Sequence, residues 1–337
     1  MSKCLRDIAD VHYGKSPTDV LTEDSPIPII GTGGIYGRAS SAMYNGPAVI
    51  VPRKGSLGNP QYVGEPFWPA DTTYAVIPKT GVDAKWLYYS LAAFDLAKLN
   101  EATGVPSIGR DWLYKVPVGS EEYGEQRRIA EILSTVDEAI EQTEALIAKY
   151  QQIKAGLMHD LFTRGVTADG RLRPTRAQAP HHYKKSAIGW IPKEWECFTI
   201  GELFTRRAER GMAGLPVMSI TMTGGLVERD SVDRRVESNL LPEDHLLVRR
   251  GDIAYNMMRM WQGVLGRAEY DCLVSPAYIV MKPGPYIDSM FAEYLLSTNM
   301  SIAWFKRLSY GVVDDRLRLY FRDLVRIRLS IPRYLSE

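Results

Sequence analysis

An uninterrupted helical segment in the middle of the chain constrains the fold more than any other feature. Residues 121–165, EEYGEQRRIAEILSTVDEAIEQTEALIAKYQQIKAGLMHDLFTRG, contain no proline and very few glycines. Acidic residues lead, Lys and Arg follow, and Gly165 can stop the helix, which is the charge order that a helix dipole favours. Roughly 40 helical residues at 1.5 Å each form a rod about 60 Å long. The segment therefore predicts a long helical spacer.

Apolar residues recur along this helix at three positions of each heptad. A stripe of that width exceeds the seam of a two-stranded coiled coil. We therefore expect it to contact more than one neighbour, and an ordinary long core helix is the alternative interpretation. The expected packing residues are Ile129, Ile132, Val136, Ile140, Ile147, Tyr150, Ile153 and Leu157.

The sequences on the two sides of the helix share six features in the same order. Each begins with a proline-bounded apolar strand, PIPII at 26–30 and LPVMSI at 215–220, and a glycine-rich turn follows. Next come a run that starts with glycine, a proline-flanked strand, a short aromatic–Leu helix, and a glycine loop before an apolar strand. An ordered repeat of this kind predicts a duplicated domain. Short strands with turn signals make each copy mainly β.

We therefore expect an α+β protein with two tandem, mainly-β domains joined by a long coiled-coil-like helical spacer. The expected ranges are 1–120 for the first domain, 121–165 for the spacer, 166–190 for a linker or extended arm, and 191–337 for the second domain. The linker is assigned because its sequence is polar, rich in Ala, Arg and Pro, and without periodicity.

Composition favours a soluble globular protein, with 45% apolar and 24% charged residues. No window of 18 uncharged apolar residues occurs, and MSKCLRDIAD has no apolar signal-peptide core, so we expect a cytoplasmic protein without a membrane span. The cysteines, Cys4, Cys197 and Cys272, are too scattered for a zinc site and suit small buried hydrophobes.

The glycine-rich stretch GTGGIYG at 31–37 is not a phosphate-binding loop. A dinucleotide fingerprint needs a third glycine where this chain has Tyr36, and it needs a helix where RASSAMYNGP follows.

Two stretches weakly resemble catalytic motifs. GNPQY at 58–62 is one residue away from the Asn-Pro-Pro-aromatic catalytic loop of amino-methyltransferases, because Gln61 breaks it. An imperfectly spaced set loosely resembles a metal-dependent nuclease core: Pro69, Asp71, Asp83 and Lys85. We expect no catalytic residue, metal or cofactor in this chain.

Side chains suited to nucleic acid cluster at equivalent turns of both copies. Arg pairs with guanine, Asn or Gln pairs with adenine, and an aromatic ring can stack or wedge. The candidate DNA-binding residues of the first copy are Thr32, Tyr36, Arg38, Arg53, Lys54, Asn59, Gln61, Ser107 and Arg110. Those of the second copy are Arg229, Arg234, Arg235, Asn256, Arg259, Trp261, Gln262, Tyr310 and Arg316. Solvated surface is the alternative for each residue alone, and agreement between the copies favours DNA.

Charge gives a mixed signal for DNA binding. Residues 191–337 hold 17 Arg against 3 Lys, and Arg suits phosphates and guanine edges. A general Arg bias of the genome is the alternative explanation. The net charge of +1 is low for a nucleic-acid binder. It is tolerable if sequence-specific contacts are few and a partner supplies further phosphate contacts.

The order of domain, helix and domain, with these residues, resembles the specificity subunit of type I restriction–modification systems. The most specific segment is the helical one, EEYGEQRRIAEILSTVDEAIEQTEALIAKYQQIKAGLMHDLFTRGV. The runs IPIIGTGGIYG, ATGVPSIGRDWL, IGWIPKEWE and RRGDIAYNMM are similar to parts of the family's target-recognition domains. The resemblance covers essentially the whole chain.

The resemblance implies a non-catalytic subunit that reads a bipartite double-stranded DNA target, one half with each recognition domain. It implies that the helical spacer is a ruler and a dock for methyltransferase subunits, which carry S-adenosylmethionine. Motor-nuclease (restriction) subunits, which use ATP and Mg, join for cleavage of unmodified DNA.

The family packs two spacer helices antiparallel, and this chain stops at IPRYLSE, where the repeat would begin a second one. We therefore expect either a truncated subunit or one that borrows a helix from a second copy of itself. Two other readings stay open. One is an orphan or decoy module of the same family that does not recognise DNA by itself, and the other is a stand-alone DNA methyltransferase or nuclease.

Overall fold

The computed structural model describes residues 3–231, 240–311 and 317–333, which form two compact units, 1–147 and 148–337. The helices are α1 (Leu5–Ile8), α2 (Ala84–Ala92), α3 (Arg110–Leu113), α4 (Tyr123–Thr163), α5 (Ile200–Leu203), α6 (Ser289–Leu296), α7 (Asn299–Leu308) and α8 (Phe321–Leu324). The first unit ends, and the second begins, within α4.

Most of the strands are short, as the turn signals of the sequence predict. Those of the first unit are β1 (Lys3–Cys4), β2 (Ala9–Tyr13), β3 (Leu21–Thr22), β4 (Pro28–Gly31), β5 (Gly34–Ala39), β6 (Ala48–Pro52), β7 (Gln61–Val63), β8 (Trp68–Pro69), β9 (Thr73–Pro78) and β10 (Pro117–Val118). Those of the second unit are β11 (Tyr183–Ser186), β12 (Gly189–Pro192), β13 (Trp195–Thr199), β14 (Phe204–Arg207), β15 (Val217–Thr221), β16 (Gly225–Glu228), β17 (Leu246–Val248), β18 (Ile253–Asn256), β19 (Leu265–Arg267), β20 (Cys272–Val274), β21 (Tyr278–Pro283) and β22 (Arg328–Pro332).

The first unit contains two four-stranded sheets. One has the order β2-β9-β6-β7 with antiparallel neighbours, and the other has the order β3-β5-β4-β8 with β4 and β8 parallel. Strand β6, AVIVP, is buried at every position, because one face meets the second sheet's core and the other meets α2. A small antiparallel pair, β1-β10, joins the start of the unit to its end.

The second unit repeats this topology. Its sheet β14-β21-β18-β19 matches β2-β9-β6-β7, and its parallel pair β15-β20 matches β4-β8. The pair β13-β22 matches β1-β10. The second unit has the edge strand β17 where the first has β3 at the opposite edge, and it adds the β11-β12 hairpin and the helix α7. The duplicated, mainly-β domains and the α+β class expected from the sequence are therefore confirmed.

Helix α4 contributes to both cores near its two ends. Ala130 is buried in the core of the first unit with Ile129 packed against it, and Phe162 is buried in the core of the second with Met158 beside it. The helix ends at Thr163, where Gly165 takes a φ of +64° and donates its N–H to Leu161. The sequence prediction of its extent, 121–165, differs by two residues at each end.

Most of the apolar stripe of α4 is exposed. An ordinary core helix would bury such residues, so that alternative interpretation is wrong for seven of the eight. These are Ile132, Val136, Ile140, Ile147, Tyr150, Ile153 and Leu157, whose exposed fractions run from 45 to 62%.

The residues expected to form a linker or an extended arm contain a β-hairpin and a buried arginine. Strands β11 and β12 pair antiparallel through four residue pairs, from Tyr183 with Pro192 to Ser186 with Gly189. The side chain of Arg173 is buried, and it donates hydrogen bonds to the carbonyls of Arg164 (2.9 Å) and Val166 (3.1 Å). This segment is therefore fastened to the end of α4.

Candidate nucleic-acid interface

Three loops of the first unit meet where β6 ends. The N–H of Ile108 donates to the carbonyl of Arg53 (3.0 Å), and Lys54 and Ser107 form an isolated antiparallel bridge. The hydroxyl of Thr32, at the tip of the β4–β5 turn, donates to the carbonyl of Lys54 (3.2 Å). Four of the candidate DNA-binding residues thus lie in one hydrogen-bonded group of loops.

Two of the candidate arginines share one aromatic platform. The guanidinium carbon of Arg53 lies 4.9 Å from the ring centroid of Tyr13, and that of Arg110 lies 5.1 Å from it. The ring attracts both cations through its quadrupole and so limits their freedom. Arg53 also donates to the carbonyl of Asp71 (3.3 Å). Two guanidinium groups are therefore held against the same ring beside these loops.

Tyr13 is a functional candidate that reasoning from the sequence missed. It is the last residue of β2, it is 43% exposed, and its ring lies 5.1 Å from that of the buried Tyr74. The only signal in the sequence was an aromatic residue at the end of a strand, before Gly14. The pairing with Arg53 and Arg110 depends on tertiary structure, so sequence spacing could not reveal it.

The buried ring of Tyr74 packs against the ring of Tyr13. The hydroxyl of Tyr74 donates to the carbonyl of Ile108 (3.0 Å), and burial, the largest cause, raises its pKa to about 12. In the second unit the hydroxyl of Tyr255 donates to the carbonyl of Leu319 (3.4 Å), and burial raises its pKa as well. Both phenols stay protonated near neutral pH, so each can keep donating its hydrogen bond to the loop carbonyl of Ile108 or Leu319.

The remaining candidates of the first unit lie around this centre. Gln61 donates its side-chain N–H to the carbonyl of Gly31 (3.0 Å), so this residue, which breaks the methyltransferase-like motif, fixes the β4–β5 hairpin. Arg38 donates to the carbonyl of Pro26 (2.8 Å), and Tyr36 is 58% exposed on β5. Asn59 lines a separate cleft beside α4.

Two of the four residues that loosely resemble a nuclease core, Asp83 and Lys85, have structural roles. Asp83 caps α2 by accepting from the N–H of Trp86 (2.9 Å). Lys85 lies over the ring of Tyr62 and donates to Ser134 of α4 (3.2 Å). Among residues 3–231, 240–311 and 317–333, no three His, Cys, Asp or Glu side chains are grouped as metal ligands would be.

In the second unit the candidate residues after β18 form one compact turn. The carbonyl of Asn256 accepts from the N–H of Arg259 (2.9 Å), and its side-chain oxygen accepts from the N–H of Met258 (3.0 Å). The indole N–H of Trp261 donates to the carbonyl of Met258 (3.1 Å). Gln262 closes the 3-10 turn Met260–Gln262. Buried Met260 anchors this turn, and Arg259 is exposed on it.

One hydrogen bond between loops is repeated in both units. The N–H of Leu319 donates to the carbonyl of Met257 (3.0 Å), just as Ile108 donates to Arg53. Met257 directly follows β18, and Arg53 directly follows β6, its counterpart in the first unit. Each unit therefore packs the turn after this strand against the segment that precedes a short helix, α3 or α8.

Tyr310 belongs to a small polar cluster beside that segment. Its hydroxyl donates to Asp323 (2.7 Å) and accepts from Arg322 (3.0 Å), and this hydrogen bond is the largest cause that raises the pKa of Arg322. Arg229 lies in the 3-10 turn after β16. Arg234, Arg235 and Arg316 lie outside the described residues, as do 334–337 of the IPRYLSE terminus.

Comparison with known proteins gives three likenesses. Residues 1–152 match the family described as Type I restriction modification DNA specificity domain. The chain is 26% identical over 270 residues to the type I restriction enzyme MjaVIII specificity subunit of Methanocaldococcus jannaschii, a match that covers 74% of this chain and 60% of that protein. It is 29% identical over 128 residues to the putative MjaX specificity subunit of the same organism, covering 36% of this chain and 28% of that one.

A solved structure extends the likeness to the whole fold. The type I restriction–modification S subunit from M. genitalium superposes with a TM-score of 0.61 at 17% identity, covering 99% of this chain and 84% of that one. The chain itself spans 60% of the length of the MjaVIII subunit.

Two β-rich units with a shared topology and a long helix between them define the class of fold. The first 152 residues are therefore similar to the DNA specificity domain of type I restriction–modification systems, and the fold of the chain is similar to that of a solved S subunit. Within the described ranges, moreover, no helix combines the length and the apolar character needed to cross a bilayer.

Proposed function

We propose that the chain is the non-catalytic, sequence-reading subunit of a type I restriction–modification complex. Each unit would read one half of a bipartite double-stranded DNA target with the loops described above. The observation that carries this proposal is the repeated pairing of loops, Ile108 with Arg53 and Leu319 with Met257. A bipartite target has two half-sites, and two units that present the same arrangement of loops can each read one of them.

The exposed stripe of α4 supports a docking role for the helix. It leaves seven apolar side chains in solvent, and contiguous exposed apolar surface commonly marks an interaction site. We propose that methyltransferase subunits, which would bring S-adenosylmethionine, dock along this helix, and that a second copy of the chain can cover part of it. Restriction subunits, with ATP and Mg, would complete a complex that acts on DNA in the cytoplasm.

The test is co-expression with a type I methyltransferase subunit from the same genome, followed by affinity purification and methylation sequencing of exposed DNA. A methylated motif of two separated halves would support the proposal and identify the target. Binding of the subunit without any methylated motif would instead favour an orphan or decoy module. If the chain alone methylated or cut DNA, an enzyme would be the correct reading.

A further inference from the structure

One basic part of the chain outside the candidate loops is the segment that carries the β11–β12 hairpin. Residues 166–190 contain five Lys and Arg residues and one acidic residue, whereas the whole chain has a net charge of +1. Arg171 pairs with Asp169 (3.5 Å), and Arg173 pairs with Glu194 (3.1 Å). In the part of the chain that the structure describes, the other three bases, Arg176, Lys184 and Lys185, form no ion pair. They are exposed cations without a carboxylate partner.

Two of these three bases lie on the same face of the hairpin. Lys185 is directly opposite Trp190 in the antiparallel pair, so the two side chains point to the same side. The guanidinium carbon of Arg176 lies 4.8 Å from the ring centroid of Trp190, which is 52% exposed. Lys184 is opposite the buried Ile191 and therefore points to the other side. We call the surface formed by Arg176, Lys185 and Trp190 the hairpin face.

The hairpin face stands on a rigid support. The hydroxyl of Tyr183 donates to the carbonyl of Pro174 (2.7 Å), and the N–H of Lys193 donates to the carbonyl of His182 (2.9 Å). Buried Arg173 joins the segment to the carbonyls at the end of α4, as described above. The backbone that carries the hairpin face is therefore already ordered, so binding a ligand does not require this segment to fold.

We propose that the hairpin face contacts the DNA sugar–phosphate backbone, with Arg176 and Lys185 on phosphates and Trp190 holding the guanidinium in place. This inference rests on the proposed function. Half to two-thirds of protein–DNA hydrogen bonds go to phosphate and sugar, and they position the protein without reading sequence. A chain with a net charge of +1 must concentrate such contacts in a few places. Exposed, unpaired cations on a preformed surface are suited to that role.

The test measures how DNA affinity depends on salt. Each phosphate contact changes the slope of log K against log salt by about 0.9. For the full chain in complex with its methyltransferase subunit, we expect K185A and R176A each to flatten the slope by about 1, and the double variant by about 2. Target and non-target DNA should be weakened alike, and the methylated motif should not change. K185R, which keeps the charge, should retain the wild-type slope.

Lys184→Ala is the matched control, because it removes the same charge from the neighbouring residue on the opposite side. If K184A flattened the slope as much as K185A, overall charge and not the hairpin face would be responsible, and the proposal would be wrong. An unchanged slope in the double variant would also overturn it. Loss of the methyltransferase subunit with an unchanged slope would assign the face to a protein partner instead.

The same experiment separates this proposal from the proposed function. If the wild-type complex methylates a bipartite motif and the double variant keeps the wild-type slope, only the hairpin contact is wrong. If the wild-type complex binds DNA without any sequence preference, the reading function itself is wrong. Equal thermal unfolding of K184A, K185A and R176A would establish that the variants are folded.

Discussion

Arg53 stacks on Tyr13, with 4.9 Å between its guanidinium carbon and the ring centroid. Arg110 shares the same ring, so one aromatic side chain orients two cations from distant parts of the chain. A flexible arginine loses rotamer entropy when it binds a base edge, and the ring reduces that loss beforehand. Tyr13 is therefore a positioning residue for the first half of the proposed target.

The first prediction concerns this ring. Each cation–π pair contributes about 0.5–1 kcal/mol at an exposed position. Losing both pairs in Tyr13→Ala should lower the affinity for the target by about 5- to 30-fold, by conversion at about 1.4 kcal/mol per tenfold. Tyr13→Phe keeps the ring and should stay near wild type. Fluorescence anisotropy with target and scrambled DNA measures both. Equal losses in the two variants would point to the hydroxyl rather than the ring.

The second prediction separates the two halves of the target. Arg53→Ala should relax the sequence read by the first unit, and Arg259→Ala should relax the sequence read by the second, because the residues lie on loops of different units. A bidentate contact to guanine discriminates by about 1–3 kcal/mol. Methylation sequencing of each variant complex would show degenerate bases in one half only. Degeneracy in both halves from either variant would argue against one reader per half.

The sequence was sufficient for the features that depend on local pattern. The helix α4 follows from a stripe with helical periodicity, and the duplication follows from turn and strand signals in a repeated order. The platform on Tyr13 was not predictable, because it joins residues about 40 and 97 positions apart. The β11–β12 hairpin was also missed, because YKKS and GWIP are too short to show strand periodicity. Burial of Arg173 depends on carbonyls at the end of α4, which the sequence does not display.

The third prediction tests the exposed stripe of α4. Ile140 and Ile147 are 51 and 52% exposed, so Ile140→Ser and Ile147→Ser should change the stability of the isolated chain by little, within about 0.5 kcal/mol. If a partner covers the stripe, the double variant should lose that partner. Copurification with the methyltransferase subunit and analytical ultracentrifugation of the chain alone distinguish the two proposed occupants. Gln152→Ser, off the stripe, is the control and should retain both. A double variant that kept every partner would exclude the stripe as a dock.

The fourth prediction concerns acid stability. The backbone N–H and the hydroxyl of Thr199 donate to one carboxylate oxygen of Glu202, at 2.6 and 2.8 Å, and these bonds hold the pKa of Glu202 below its usual value of 4.5. The unfolded state therefore binds the proton at a higher pH than the folded state does. The stabilisation is present above the usual pKa and is lost as the pH falls through the lowered one.

Glu202→Gln should accordingly make the free energy of unfolding less dependent on pH between about 6 and about 3. Urea unfolding at several pH values, followed by fluorescence, measures this. Glu228→Gln removes a similar charge at the end of β16 and leaves the capping box of α5 intact. A pH dependence in E202Q that matched E228Q and wild type would show that the capping carboxylate has no part in it.

The last prediction concerns the junction where α4 ends. Gly165 has a φ of +64°, and a Cβ added there would lie 2.7 Å from the Cζ2 atom of buried Trp195. Gly165→Ala therefore combines backbone strain with a clash and should destabilise the protein by about 1–3 kcal/mol. Gly156 lies inside α4 with open space around its Cβ position, so Gly156→Ala should stabilise by about 0.5–1 kcal/mol. Urea denaturation measures the free energy of unfolding of both variants, which should fall for Gly165→Ala and rise for Gly156→Ala.

The same pair of variants should also differ in DNA binding. Because the hairpin face is fastened to this junction through Arg173, Gly165→Ala should flatten the salt dependence of DNA binding, and Gly156→Ala should leave it unchanged.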